Sequence, residues 1–212
     1  MTIGYKLEVN QQQLAEVDSL LKHIKAGSDK ALTIGANKAG PKIRTLASKK
    51  IREQVRLKAG YVSQHLKFVR GTKTKPARIS TPSRGILLSR FDMNAQVADP
   101  DRVSWITAPP VPPRGIRVKV KPSGGTTGIG TPPRTVGKPF YLRLKNSNRI
   151  GIAFRRANVG PRGGKLSVRY GPSLSQVFND VRDDVLPDAS AEFQRQVHEA
   201  ALFLVRKEAM RE

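Results

Sequence analysis

Between residues 29 and 90 this chain carries sixteen lysines and arginines against two acids, Asp29 and Glu53. Like charges oppose compaction, so a segment of net charge +14 can only fold with its charge on an outer face. Its first half reads as helix from Asp29 to about Leu57. Ile43, Leu46, Ala47, Ile51 and Val55 form an apolar stripe, and Lys42, Lys49, Lys50, Arg52, Arg56 and Lys58 occupy much of the remainder. Pro41 lacks an N–H and crowds the preceding turn, which predicts a kink or restart at Gly40-Pro41, and Gly60 is the expected stop. The basic face has three readings: contact with nucleic-acid phosphates, contact with acidic protein surfaces in an oligomer, or a solvated face.

The whole chain of 212 residues has net charge +23, and the charge belongs to the middle. Residues 1–28 are neutral, 91–145 and 146–172 each carry +6, and 173–212 carry −3. Aromatics are 6% with a single tryptophan, Trp105, which argues against stacking on single-stranded nucleic acid. The absence of cysteine excludes disulfides, thiolate zinc sites and cysteine nucleophiles. No apolar run approaches the ~20 residues that span a bilayer, and the opening MTIGYKLEVN has no signal-peptide core. The expectation is a cytosolic product that stays soluble or is built into a particle, with no membrane partner.

Residues 11–26 place Leu14, Val17, Leu21 and Ile24 on one helical face, and Ser28 or Asp29 can cap the next helix. YVSQHLKF allows one more short helix. Short strands are predicted at 77–81, 85–91, 116–121, 140–145, 149–156 and 166–170, with KNSN (145–148) as a hairpin turn. The proline- and glycine-rich stretches 108–114 and 122–138 are expected to be irregular loops, ordered by a partner or functional. After Ser173 come two helices separated at Pro187, the last one striped by Phe193, Val197, Ala200, Ala201, Leu204 and Val205. This order predicts an α+β fold, with N- and C-terminal helices packed on a central, mainly antiparallel sheet and long Pro/Gly-rich loops. Residues 1–28 form an N-terminal extension, and 29–212 one α+β domain with extended loops at 108–138.

No motif carries recognisable chemistry. His198-Glu199 lacks the second histidine of a zinc helix, because position 202 is Leu, and His23 and His65 lie far away in sequence. GPRGGK (160–165) fails as a phosphate loop: Val159 stands where the first glycine belongs, and Leu166 follows the lysine. Asp180, Asp183, Asp184 and Asp188 lack calcium-loop spacing; they read as a solvated face or as an acidic patch for a neighbouring basic subunit. Asp183 and Asp184 fall near a predicted helix C-terminus, against the dipole. Trp105 is either a cap on the core or an anchor in an interface, and with Arg114 and Arg134 it marks a candidate interface loop. No catalytic, metal or cofactor residue is assigned.

The succession of segments is nonetheless distinctive. A basic helical stretch (31–66) leads through Leu57-Lys58-Ala59-Gly60 to KPARISTPSRGILLSRF (75–91), then to GIAFRR (151–156) and RYGPSLSQVFNDV (169–181) before a long final helix. Over residues 29–212 this resembles the prophage minor tail protein Z family of tailed bacteriophages, also called tail completion proteins. The resemblance implies a structural virion component without catalysis, acting late in tail assembly at the head-proximal tail or neck. Expected partners are further copies of itself in a ring, taken as hexameric, tail terminator, tail tube or neck and connector proteins, and the genomic DNA end. Two rivals stand beside it: a free, sequence-independent nucleic-acid-binding protein, and a nuclease using the aspartates.

Overall fold

The computed structural model describes residues 11–24, 26–94, 110–130, 135–144, 149–156 and 166–210. Trp105, Arg134, the predicted turn at 145–148 and the GPRGGK connection lie outside the described residues. The chain divides into two units. One takes the residues up to Ile51, Gly60–Ser83 and the chain from Ser175 on; the other takes Arg52–Ala59 and Arg84–Leu174.

The first unit is built mostly of helices. α1 (Gln11–Leu20) buries Val17, and the turn after it buries Leu21. α2 (Gly27–Gln54) follows at once, because Ala26 takes a left-handed φ of 53° and Gly27 sits where a Cβ would come within 2.8 Å of Leu21 Cβ. Ser28 therefore lies inside the first turn, and its hydroxyl donates to Asp18 of α1. Pro41 neither stops α2 nor restarts it: the helix runs through Pro41. The reason lies in a stripe the apolar pattern understates. Gly27, Ala31, Gly35, Ala39, Ile43, Ala47 and Ile51 recur every four residues and are all buried. Packing on both sides of Pro41 outweighs one lost intrahelical bond. Gly40 also packs rather than breaks, since a Cβ there would fall 2.1 Å from the Phe68 ring. α2 ends at Gln54, so Arg56 and Lys58 are off the helix, and Gly60 belongs to α3 (Ala59–His65) instead of ending α2.

β1 (Lys67–Val69) and β2 (Arg78–Ser80) pair antiparallel beyond α3. Asn37 of α2 ties this hairpin to the helix: its Nδ2 donates to Gly71 O at 3.0 Å and its Oδ1 accepts from Gly71 N at 2.7 Å. α4 (Leu174–Asp180) and α5 (Arg182–Ala209) are separated only by Val181, and i→i−4 bonds continue across it. The predicted break at Pro187 is not made. Pro187 lies inside α5, where Val185, Ala189, Phe193 and Val197 are buried on both sides of it, so packing again outweighs one lost intrahelical bond. Asp183 and Asp184 consequently stand in the first turn of α5, on the favourable side of its dipole, not near a helix C-terminus.

The second unit is built of antiparallel strands. β3 (Gly85–Leu87), β9 (Leu166–Ser173), β8 (Arg149–Arg156) and β7 (Thr135–Leu144) form one sheet in that order. β4 (Asp92–Met93), β5 (Arg117–Lys119) and β6 (Thr127–Gly128) form another. β6 and the start of β7 fall inside 122–138, so that stretch is partly regular; Arg117 makes this possible by donating to Thr126 Oγ1 at 3.2 Å and Thr126 O at 2.8 Å. The core of the larger sheet is Tyr141, Ile150, Ile152 and Phe154, with the Ser89 hydroxyl donating to Ile150 O. Residues 55–58 join this unit through Arg56 N–H to Val120 O at 2.7 Å and the Leu57–Phe91 bridge. The α+β class read from the element order holds, and every strand pairing among the described residues is antiparallel.

Candidate functional site: the basic surface

The six basic residues picked out by sequence fall in different settings. Lys42 and Lys49 lie about 20° apart around α2, two turns from each other, and both are exposed. Lys50 and Arg52 flank that line from opposite sides. Lys42, Lys49 and Lys50 belong to the helical unit; Arg52, Arg56 and Lys58 belong to the strand unit. Arg56 Nε lies 3.5 Å from Asp92 Oδ2, and Lys58 is exposed in the connection that follows. Arg114 is exposed beside Gly115, whose φ of +76° makes a turn; Asn94 secures that turn by donating to Gly115 O at 3.0 Å.

Lys42 is committed to an acid of its own unit. Its Nζ is 2.9 Å from Glu192 Oε1, and Glu192 also accepts from Arg195 at 2.7 Å, which reaches on to Glu199 at 3.3 Å. The Lys42 hydrogen bond first, and the Arg195 hydrogen bond second, hold the Glu192 carboxyl below its ordinary value. The same pairing raises Arg195. These groups line an open groove of about 600 Å³ between α2 and α5, together with Thr45, Leu46, Asp188 and Ala191. Both signs of charge meet there, so the groove is not an anion site.

The larger share of uncompensated charge lies elsewhere. The stretches that make up the strand unit hold twenty lysines and arginines against four acids, whereas the helical unit holds nineteen against twelve. Arg143, Arg149, Arg155, Arg156 and Arg169 on β7, β8 and β9 were not singled out from sequence. The available signal was the absence of any acid between 146 and 172. Two of them sit against aromatic rings: Arg155 is 5.5 Å from the centroid of Phe140, and Arg169 is 5.8 Å from that of Phe154.

The histidines do not converge. His65 stacks on Tyr61 at 4.2 Å with Nδ1 2.8 Å from Tyr61 O, while His23 and His198 are exposed near α1 and on α5. No helix among the described residues is long and apolar enough to cross a membrane. What the described surface offers is charge spread over both units, which suits contact with other macromolecules.

No curated protein and no solved structure matches the chain. The sequence model of prophage minor tail protein Z matches residues 14–209, and so takes in most of α1 as well as everything from α2 through α5. A basic chain of antiparallel strands and long helices, matched from within α1 to the end of α5, belongs to the prophage minor tail protein Z family, and the protein is a structural component of the bacteriophage tail.

Proposed function

We propose that this tail protein acts late in tail assembly at the head-proximal end or neck, where it makes the tail competent to join a head and positions the end of the genome. It works as a ring of copies, taken as hexameric, in contact with tail terminator, tail tube or connector proteins. The observation that carries the reading is the charge balance of the strand unit. At most four of its twenty cations can be neutralised by acids of the same unit. A ring multiplies that excess around whatever passes or ends within it, and the genome end supplies the phosphates. Contact of this kind needs many cations and no base-reading geometry.

Reversing Arg52, Arg56, Lys58 and Arg114 of the strand unit to glutamate tests the proposal. Virions carrying the variant are expected to assemble tails of normal length yet fail to infect. Normal infectivity would refute the reading. Tight, salt-sensitive binding of bulk duplex DNA by the isolated monomer would favour a free nucleic-acid-binding protein instead.

A further inference from the structure

The β7–β8–β9 sheet has a second face, buried at its middle and partly open along its flanks. Ile150, Ile152 and Phe154 point to the buried side, so Arg149, Gly151, Ala153 and Arg155 of β8 point to the other. The register places Phe140, Leu142 and Leu144 of β7 on that same side, opposite Ala153, Gly151 and Arg149. Val168 and Leu166 of β9 join them, opposite Ala153 and Arg155. Gly151 and Ala153 set nothing larger than a methyl along the middle; a Cβ at Gly151 would already sit 3.1 Å from Val168 Cγ1. The result is an apolar strip with a low centre. Gly151 and Ala153 are buried, and the flanks are partly open: Phe140, Leu142, Leu144 and Val168 are half-buried, and Leu166 is 40% exposed. Arg149 and Arg155 stand at its two ends, about 20 Å apart along the strand. Tyr170, also 40% exposed, carries Arg84 5.8 Å from its ring centroid.

Nucleic acid is a poor occupant for such a face, because phosphates would meet the arginines but leave Leu142, Leu144 and Leu166 uncovered. The better fit is an acidic protein element with a small apolar surface, and this chain exposes one. Four of its sixteen acids fall between 180 and 188. Asp180, Asp184 and Asp188 repeat every four residues across the α4–α5 junction and are all exposed. Like charges at that spacing destabilise a helix, so a cationic neighbour stabilises it. Pro187 and Ala191, both exposed, lie along the same line.

We propose that copies of this chain associate head to tail, with the acidic start of α5 of one copy seated on the arginine-ended apolar strip of β7–β9 of the next. The inference rests on the ring reading and gives it an interface. Two different surfaces meet in such a contact, so a rotation that closes generates a ring.

The test uses the full chain and two charge-reversed variants, R149E/R155E and D184R/D188R, followed by sedimentation velocity. Each variant alone is expected to associate at least ~10-fold more weakly than wild type, a modest loss for two charge contacts. Mixed in equal amounts they should associate again, because every junction then joins either Glu to Arg or Arg to Asp. Should either variant misfold by circular dichroism, R149Q/R155Q and D184N/D188N replace them, with weaker association of each expected. Variants that associate like wild type would overturn the interface and leave the ring reading standing. Wild type that stays monomeric up to ~1 mM would overturn both. Loss of duplex-DNA binding in R149E/R155E with unchanged self-association would make the strip a nucleic-acid surface and refute the proposal.

Discussion

Gly35→Ala puts the α2 stripe to the test. A methyl at that position would lie 2.7 Å from Val197 Cγ2 and 2.8 Å from both Val197 Cα and Val197 N. Two of these three atoms are backbone of α5, so relief needs a helix to move, not a rotamer to change. Two effects of opposite sign compete. Alanine favours a helix interior over glycine by about 1 kcal/mol. Overpacking a close contact costs roughly 1–3 kcal/mol, and a contact with backbone belongs at the upper end. The clash wins, for a net loss of about 1–2 kcal/mol, or a fall of roughly 5–10 °C in Tm for a unit of this size. Thermal and urea unfolding followed by far-UV circular dichroism measure it. Gly60→Ala is the control: nothing lies within 4 Å of its added Cβ, so stability should hold or rise by up to about 1 kcal/mol. Val197→Ala added to Gly35→Ala should not restore stability, since it removes Cγ2 and leaves the two backbone atoms in place. A Gly35→Ala protein as stable as wild type would mean that α2 and α5 do not approach at this point.

Two further outcomes follow from single side chains. The Glu192 carboxyl is depressed in the folded protein by Lys42 and then Arg195, so its stabilising effect is complete above its ordinary value of 4.5 and is lost as pH falls through the lower folded value. Glu192→Gln should therefore be less stable than wild type near neutrality and approach it at strongly acid pH; a gap that stays constant in urea midpoints across that range would refute the linkage. Tyr141 is 4% exposed, burial raises its pKa, and its hydroxyl has no hydrogen-bond partner among the described residues. Tyr141→Phe is expected to be neutral or to stabilise by about 1 kcal/mol, and a loss of that size in denaturant unfolding would show that the hydroxyl is satisfied.

Strands were legible where a period of two met residues that pack on a pleated surface. Arg149–Arg156 was read to the residue, and the strand at 140–145 was found but begins earlier, at Thr135. The starts and ends of helices were harder, because local rules compete with packing. Pro41 and Pro187 both look like breaks, yet each lies in a helix whose buried residues continue on either side. The α2 stripe was half-hidden for a different reason. Gly27, Ala31, Gly35 and Ala39 do not register as apolar in a search for large side chains, although close helix approach needs small ones. A run of glycine and alanine at four-residue spacing was the signal. The basic residues were visible one by one, but their division between two units depends on long-range contacts that composition does not carry.

That division changes where the positive charge can act. In the helical unit twelve acids accompany nineteen cations, and the Lys42–Glu192–Arg195–Glu199 network pairs the two signs at the surface between α2 and α5. In the strand unit the ratio is four to twenty, and arginines line strands with too few acids to answer them. Self-repulsion of that size is tolerated because antiparallel pairing and the buried Tyr141, Ile150, Ile152 and Phe154 fix the backbone whatever the surface carries. A tail protein built this way is held together by apolar burial and left electrostatically incomplete. Its counter-charge comes from outside the unit, and on the ring proposal that makes assembly and charge neutralisation one event.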